Sequence, residues 1–216
     1  MNDLSRLSDQ CDVLYLGSQS MSRRKLLDAA GIRYKILTHS SQECVAVPTV
    51  NFDDYVQSIA CDKMQHLELP TIDSVNENHI FILTADTLVK AMQSNQIIGK
   101  PDDLEHARSI VRLISTQPLQ ILTGCCLKKF EKENGAWIEK NSHNWVTGAF
   151  VEFVVPEEDI NLYFEKLPGV VYASGASIID DFGQCFLKSI NGSHSAVIGL
   201  PLFELRQNLR SMGFLF

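Results

Sequence analysis

Apolar and polar positions alternate along this chain in a way that predicts a mixed α/β protein. The run Val13-Leu14-Tyr15-Leu16-Gly17 reads as a short buried strand. It passes through Ser18-Gln19-Ser20 into a helix whose apolar stripe is Leu26, Leu27 and Ala30, closed by Gly31. Tyr34 to Thr38 reads as a second strand, followed by a polar loop to about Asn51. Asp53 or Asp54 is placed to cap a helix running to Leu67, and Pro70 to His79 reads as loop. Ile80 to Val89 is strongly β-like and turns at residues 93–95 into Ile97-Ile98, a hairpin pattern.

Pro101-Asp102-Asp103 is expected to start a helix, with Pro and acids in its first turn and apolar Leu104, Ala107, Ile110, Val111 and Ile114 at helical spacing. Leu119 to Phe130 and Asn144 to Val155 are β segments joined around Asn134-Gly135, a hairpin signal with extra residues. A helix is expected from Pro156 to Leu167, and another from Leu202 to Leu209. There is no internal repeat, low-complexity tract or linker. The pattern predicts one α/β unit with some antiparallel pairing.

Composition adds constraints. The chain has 216 residues, 45% of them hydrophobic, with 19 Lys+Arg against 26 Asp+Glu and a net charge of −7. That balance gives no global attraction to nucleic acid polymers or an anionic membrane. No stretch approaches the ~20 apolar residues of a membrane helix, and the N-terminus is a poor signal peptide. Six cysteines without a CxxC pair or zinc spacing read as thiols of a reducing cytoplasm.

Candidate chemistry falls in four places. Ser18, Ser20, Arg23 and Arg24 sit between a strand and a helix start. Hydroxyls, free helix N–H groups and guanidinium groups together suit a phosphate, and basic charge at a helix N-terminus otherwise opposes the dipole. Asp86 lies in the apolar run ILTADTLV, where a carboxylate needs a cation, a metal or hydrogen bonds to offset its desolvation. Lys100, in Gly99-Lys100-Pro101, and Lys63, on the inner half of its helix, are further cations able to reach a phosphate. His194, in the small-residue stretch Gly183 to Pro201, reads as structural or exposed.

In order, these segments resemble the Maf family of nucleoside triphosphate pyrophosphatases over nearly the whole chain. LYLGSQSMSRRKLLDAAGIRYKIL is similar to the family's LxLAS-x-SPRRxELLxxAGIxFxV. ILTADTLV and IIGKPDDLEHARSIVRLIS are similar to GADTVV and LGKPxDxxEAxxMLxxLS, and the closing GQCFLKSINGSHSAVIGLPLFEL matches a segment ending in GS and VVGLPL.

The resemblance implies a mixed twisted sheet flanked by helices, with two lobes around a deep nucleotide cleft, as in inosine-triphosphatase-like folds. It implies a single domain with residues 1–11 as a loose extension, and a homodimer. The implied activity is hydrolysis between the α and β phosphates of a nucleoside triphosphate, giving the monophosphate and pyrophosphate, with Mg²⁺ or Mn²⁺. Residue by residue, Ser18, Ser20, Arg23 and Arg24 take the phosphate-loop roles, and Lys63 and Lys100 neutralise phosphate charge. Asp86 activates water or binds metal, and Glu43 is a second metal carboxylate.

Departures bear on substrate. Met21-Ser22 replaces the usual Pro-Arg. Tyr172-Ala173-Ser174-Gly175 replaces the Asp-Lys-Ala-Gly of the pyrimidine branch, and Asp180 stands where that branch has Gln. A carboxylate accepts from N1–H and the exocyclic amine of guanine and favours a cationic N7-methylated base, whereas Gln suits uracil or thymine. Asp180 therefore points to a modified guanine nucleotide such as 7-methylguanosine triphosphate. Ala85-Asp86-Thr87 is instead closer to the pyrimidine (dTTP/UTP) branch. The rival expectation is a catalytically weak nucleotide-binding regulator linked to cell division.

Overall fold

The computed structural model of the chain describes residues 11–38 and 51–216. The elements run β1 (Leu14–Leu16), α1 (Met21–Ala29), β2 (Tyr34–Ile36), α2 (Phe52–Gln65), β3 (His79–Ala91), β4 (Gln96–Ile98) and α3 (Leu104–Ile114). They continue with β5 (Leu119–Glu133), β6 (Ala136–Phe153), α4 (Ile160–Lys166), β7 (Leu187–Gly192), α5 (His194–Ile198) and α6 (Leu202–Ser211).

The strands form one mixed seven-stranded sheet in the order β2-β1-β3-β5-β6-β7, with β4 pairing β3 off this path. Strand β1 is parallel to both neighbours, Leu14 standing opposite Tyr34 on one side and Phe81 on the other. Parallel pairing of consecutive strands requires a crossover, and α1 supplies it between β1 and β2. The β3–β4 and β6–β7 pairs are antiparallel. The expected α/β class, a twisted mixed sheet flanked by helices, is what the chain adopts.

Two compact units can be distinguished. The first comprises the described residues up to Asp86, Gly124–Val146 and Leu202–Phe216; the second comprises Thr87–Thr123 and Thr147–Pro201. In the first, Ile80 to Ala85 are all buried, the signature of a central strand covered on both faces. Tyr15, Met64, Val75, Ile80, Ile82 and Cys126 form a core cluster there. Helix α2 is seated by buried Val56 and Ala60, and by the Gln57 side-chain amide donating to the Cys125 carbonyl at 2.9 Å.

In the second unit, α3 buries Ala107, Ile110, Val111 and Ile114, the stripe expected from its spacing. Its N-cap is Asp103, which accepts from the His106 amide at 2.7 Å. Phe153, Tyr163 and Phe186 meet edge to face in the same core. The Tyr163 hydroxyl donates to the Ala176 carbonyl and accepts from the Ile178 amide, and burial pushes the phenol well above its usual range.

Several boundaries differ from expectation, among them α3, which starts at Leu104 rather than Pro101 because Asp103 caps it. Asn51, not Asp53 or Asp54, caps α2, because its side-chain oxygen accepts from the Asp53 amide. Strand β6 begins at Ala136 rather than Asn144. Asn134 and Gly135 both have positive φ and turn the chain in two residues. The ion pairs Lys128–Glu139 and Glu133–Lys140 then carry the hairpin through a polar stretch that lacks apolar alternation.

Candidate functional site

The phosphate-type loop begins where β1 ends. Gly17 packs so tightly that a Cβ there would lie 2.7 Å from Leu67 Cδ1 and 2.8 Å from Thr84 Cγ2, so glycine alone fits without displacement. Beyond it, Ser18 is buried, and its Oγ accepts from the Ser20 amide at 3.3 Å and from Arg23 Nη1 at 2.9 Å. Ser20 caps α1, accepting from the Arg23 amide at 3.5 Å. No acid occupies the first turn of α1.

Arg23 is thereby folded back over the loop and is 7% exposed. Arg24 has a buried Nε–H without an acceptor. Another nitrogen of the same half-buried guanidinium donates to Met21 Sδ at 3.8 Å, and a ligand oxygen accepting from Nε would offset the cost of its burial. Together with the loop amides and Ser18, these groups suit an anion bearing several oxygens.

Asp86 stands at the point on β3 where the buried run ends. Thr84 and Asp86 are two residues apart, so their side chains share a face of the strand, and that face meets α2. Lys63 Nζ donates to Asp86 Oδ1 at 2.6 Å, with the two side chains 10% and 15% exposed. The desolvation of Asp86 anticipated from sequence is thus offset by a near-buried ammonium. One turn earlier on α2, the Ala60 carbonyl accepts from Thr84 Oγ1 at 2.7 Å.

The remaining sequence candidates are placed as follows. Lys100 and Asp180 belong to the second unit. Lys100 is exposed in the turn after β4, where the Gly99 carbonyl accepts from the Gly175 amide at 2.9 Å. Asp180 is half-buried, and its carbonyl accepts from the Gly183 amide at 3.1 Å. His194 is exposed at the start of α5, as expected. Glu43 lies outside the described residues.

A side chain that the sequence did not flag is Glu204, in the first turn of α6, whose Oε2 is buried without a hydrogen-bond partner. Its charge and that of Arg23 both act on the Cys125 thiol, which burial pushes far above its usual range. An acid after a Gly-Leu-Pro turn carries no local signal that would single it out.

For a divalent cation, the described residues contain no cluster of three His, Cys, Asp or Glu side chains. Asp86 still has an oxygen donor of the right hardness, since Lys63 engages only Oδ1. Such a donor fits Mg²⁺, which binds through one or two carboxylates plus substrate phosphates rather than an all-protein cage.

Comparison with known proteins identifies the family. The family model described as Maf-like protein matches residues 13–212. A dTTP/UTP pyrophosphatase from Colwellia psychrerythraea is 30% identical, covering 99% of this chain and 94% of that protein. Proteins of the same name from Shigella dysenteriae and Yersinia pestis are 30% and 31% identical, covering 94% and 91% of this chain and 94% and 91% of their own lengths. A chain matched by that family model over residues 13–212, with relatives at this identity along nearly its whole length, belongs to the Maf family.

Proposed function

We propose that the chain is a nucleoside triphosphate pyrophosphatase, cleaving between the α and β phosphates to give the monophosphate and pyrophosphate. The observation that carries this reading is the Lys63–Asp86 pair, in the same unit as a loop built from Ser18, Ser20, Arg23 and Arg24. The loop groups and Lys100 bind and neutralise the phosphates. Asp86, with Oδ1 held by Lys63, uses its other carboxylate oxygen either to orient and deprotonate the attacking water or to bind the metal. Lys63 orients that carboxylate, so positioning and charge neutralisation supply the catalysis. No covalent enzyme intermediate is needed.

Mg²⁺ or Mn²⁺ would be held by Asp86, with Glu43 as the second carboxylate, and would add Lewis-acid stabilisation of phosphate charge. Lys63 limits how much of the Asp86 carboxylate such an ion can take. Both units serve one functional domain in this reading, and the active form is a homodimer of a cytoplasmic enzyme. No described helix is long and apolar enough to cross a membrane.

Two substrate readings have separate support. The names of the relatives favour the pyrimidine triphosphates dTTP and UTP. Asp180, in place of the pyrimidine branch's Gln, favours a modified guanine such as 7-methylguanosine triphosphate. Pyrophosphate release from a panel of pyrimidine, 7-methylguanosine and standard triphosphates with Mg²⁺ or Mn²⁺ tests both. Cleavage of one class at least tenfold faster than the others assigns the base. Binding without cleavage of any triphosphate would instead support the regulatory reading.

A further inference from the structure

We infer that Thr84 is a positioning residue that sets the Lys63 ammonium against Asp86. The inference rests on the functional reading above only for its kinetic consequence. Thr84 is fully buried, yet its side chain is polar and every residue of Ile80 to Ala85 around it on β3 is otherwise apolar. A valine would satisfy the volume and the strand propensity equally well. What valine lacks is the hydroxyl, and that hydroxyl is spent on one specific acceptor, the Ala60 carbonyl of α2 at 2.7 Å.

The geometry forms two rungs between one strand and one helix. On β3 the rungs start from Thr84 and Asp86, which share a face. On α2 they end at Ala60 and Lys63, three residues apart and so neighbours on the helix surface. The upper rung is short and wholly buried, between a rigid β-branched side chain and a backbone carbonyl. The lower rung ends in a lysine with four rotatable bonds, which by itself specifies little about where the ammonium rests. Fixing the helix one turn earlier restricts where Lys63 Nζ can reach.

The Thr84 methyl contributes on its other side. It packs against Gly17, the residue before Ser18, so closely that a Cβ on Gly17 would come within 2.8 Å of it. One side chain thus contacts the helix that carries Lys63 and the base of the loop that carries Ser18 and Arg23. Thr84 touches neither substrate nor reacting atoms in this assignment; it acts through Lys63.

Thr84→Val and Thr84→Ser separate the hydroxyl from the methyl. Lys63 accessibility is read by acetylation with an amine-reactive ester and mass spectrometry, using Lys128 as internal reference, and kcat and KM for pyrophosphate release are measured alongside. In Thr84→Val, Lys63 is expected to label several-fold faster than in wild type, with kcat down about three- to tenfold and KM changed less than twofold. Thr84→Ser is expected to keep wild-type labelling and kcat. Val75→Ala, a cavity in the same unit's core, is expected to lower Tm without changing either readout. Unchanged Lys63 labelling in Thr84→Val, or equal effects from the Val and Ser variants, would overturn the assignment. Should the wild type release no pyrophosphate from any triphosphate, the functional reading fails, and the labelling comparison alone decides the role of Thr84.

Discussion

Lys63 Nζ donates to Asp86 Oδ1 across 2.6 Å, tying the last turn of α2 to β3 where that strand emerges from the core. A lysine in a helix's last turn is also favoured by the helix dipole. Removing either partner leaves a nearly buried charge uncompensated, at a cost of about 3–5 kcal/mol. Lys63→Met and Asp86→Asn are each expected to lower kcat by about 10²–10³-fold in a pyrophosphate-release assay. The double variant is expected to lose far less than the product of the two, because both remove the same interaction. Full additivity would mean that the residues act independently.

Arg23 reaches Ser18 Oγ with one guanidinium nitrogen at 2.9 Å, and its planar fork offers a phosphate the bidentate geometry that an ammonium lacks. Arg23→Lys keeps the charge but not the fork. Its KM for triphosphate is expected to rise about tenfold, with a smaller rise for Ser18→Ala, measured by initial rates at fixed metal. A KM unchanged in both variants would remove the loop from phosphate binding.

Asp180 carries the base assignment. Asp180→Gln exchanges an acceptor-only group for one that both donates and accepts. Turnover of a guanine substrate is expected to fall about 10–100-fold relative to UTP, measured as the ratio of kcat/KM values. Equal loss for all bases would place the side chain outside base recognition.

The cysteines give a pH-dependent test of the fold. Burial is the largest cause that pushes the Cys126 thiol up to about 12, and it pushes Cys125 higher still. A raised pKa keeps a thiol neutral, and the thiolate is the reactive form. At pH 8 a disulfide reagent is therefore expected to label exposed Cys185 while sparing Cys125 and Cys126 in folded protein. Protection is expected to disappear in denaturant, as counted by mass spectrometry.

Gly183 offers a packing test. A Cβ there would fall 1.7 Å from the Ile178 carbonyl oxygen, a backbone atom that cannot rotate away. Gly183→Ala is expected to lower stability by about 2 kcal/mol or more in urea denaturation. Wild-type stability would contradict the close approach of these two segments.

Much of this is readable in the residues, and for identifiable reasons. The α3 stripe, the β3–β4 turn and the strand–loop–helix around Ser18 are local patterns whose period or punctuation survives in sequence. Asp86 stands out because a carboxylate in an apolar run demands a partner. Which partner does not stand out. The 2.6 Å approach of Lys63 depends on the register of α2 against β3, which the Thr84–Ala60 bond helps to set over 24 residues of separation. Thr84 itself reads as an ordinary β-former, and Glu204 as a surface acid of an amphipathic helix. The early part of β6 lacks apolar alternation because cross-strand ion pairs accompany it there. Glu43, assigned through family resemblance, lies outside the described residues.

The reaction assignment is tested most directly by ³¹P NMR of the products when purified protein and Mg²⁺ act on the best-bound triphosphate. Pyrophosphate and nucleoside monophosphate in equal amounts, formed about 10²–10³-fold more slowly by Asp86→Asn, are the expected result. Orthophosphate with nucleoside diphosphate, or equal product from the Asp86→Asn variant, would contradict it.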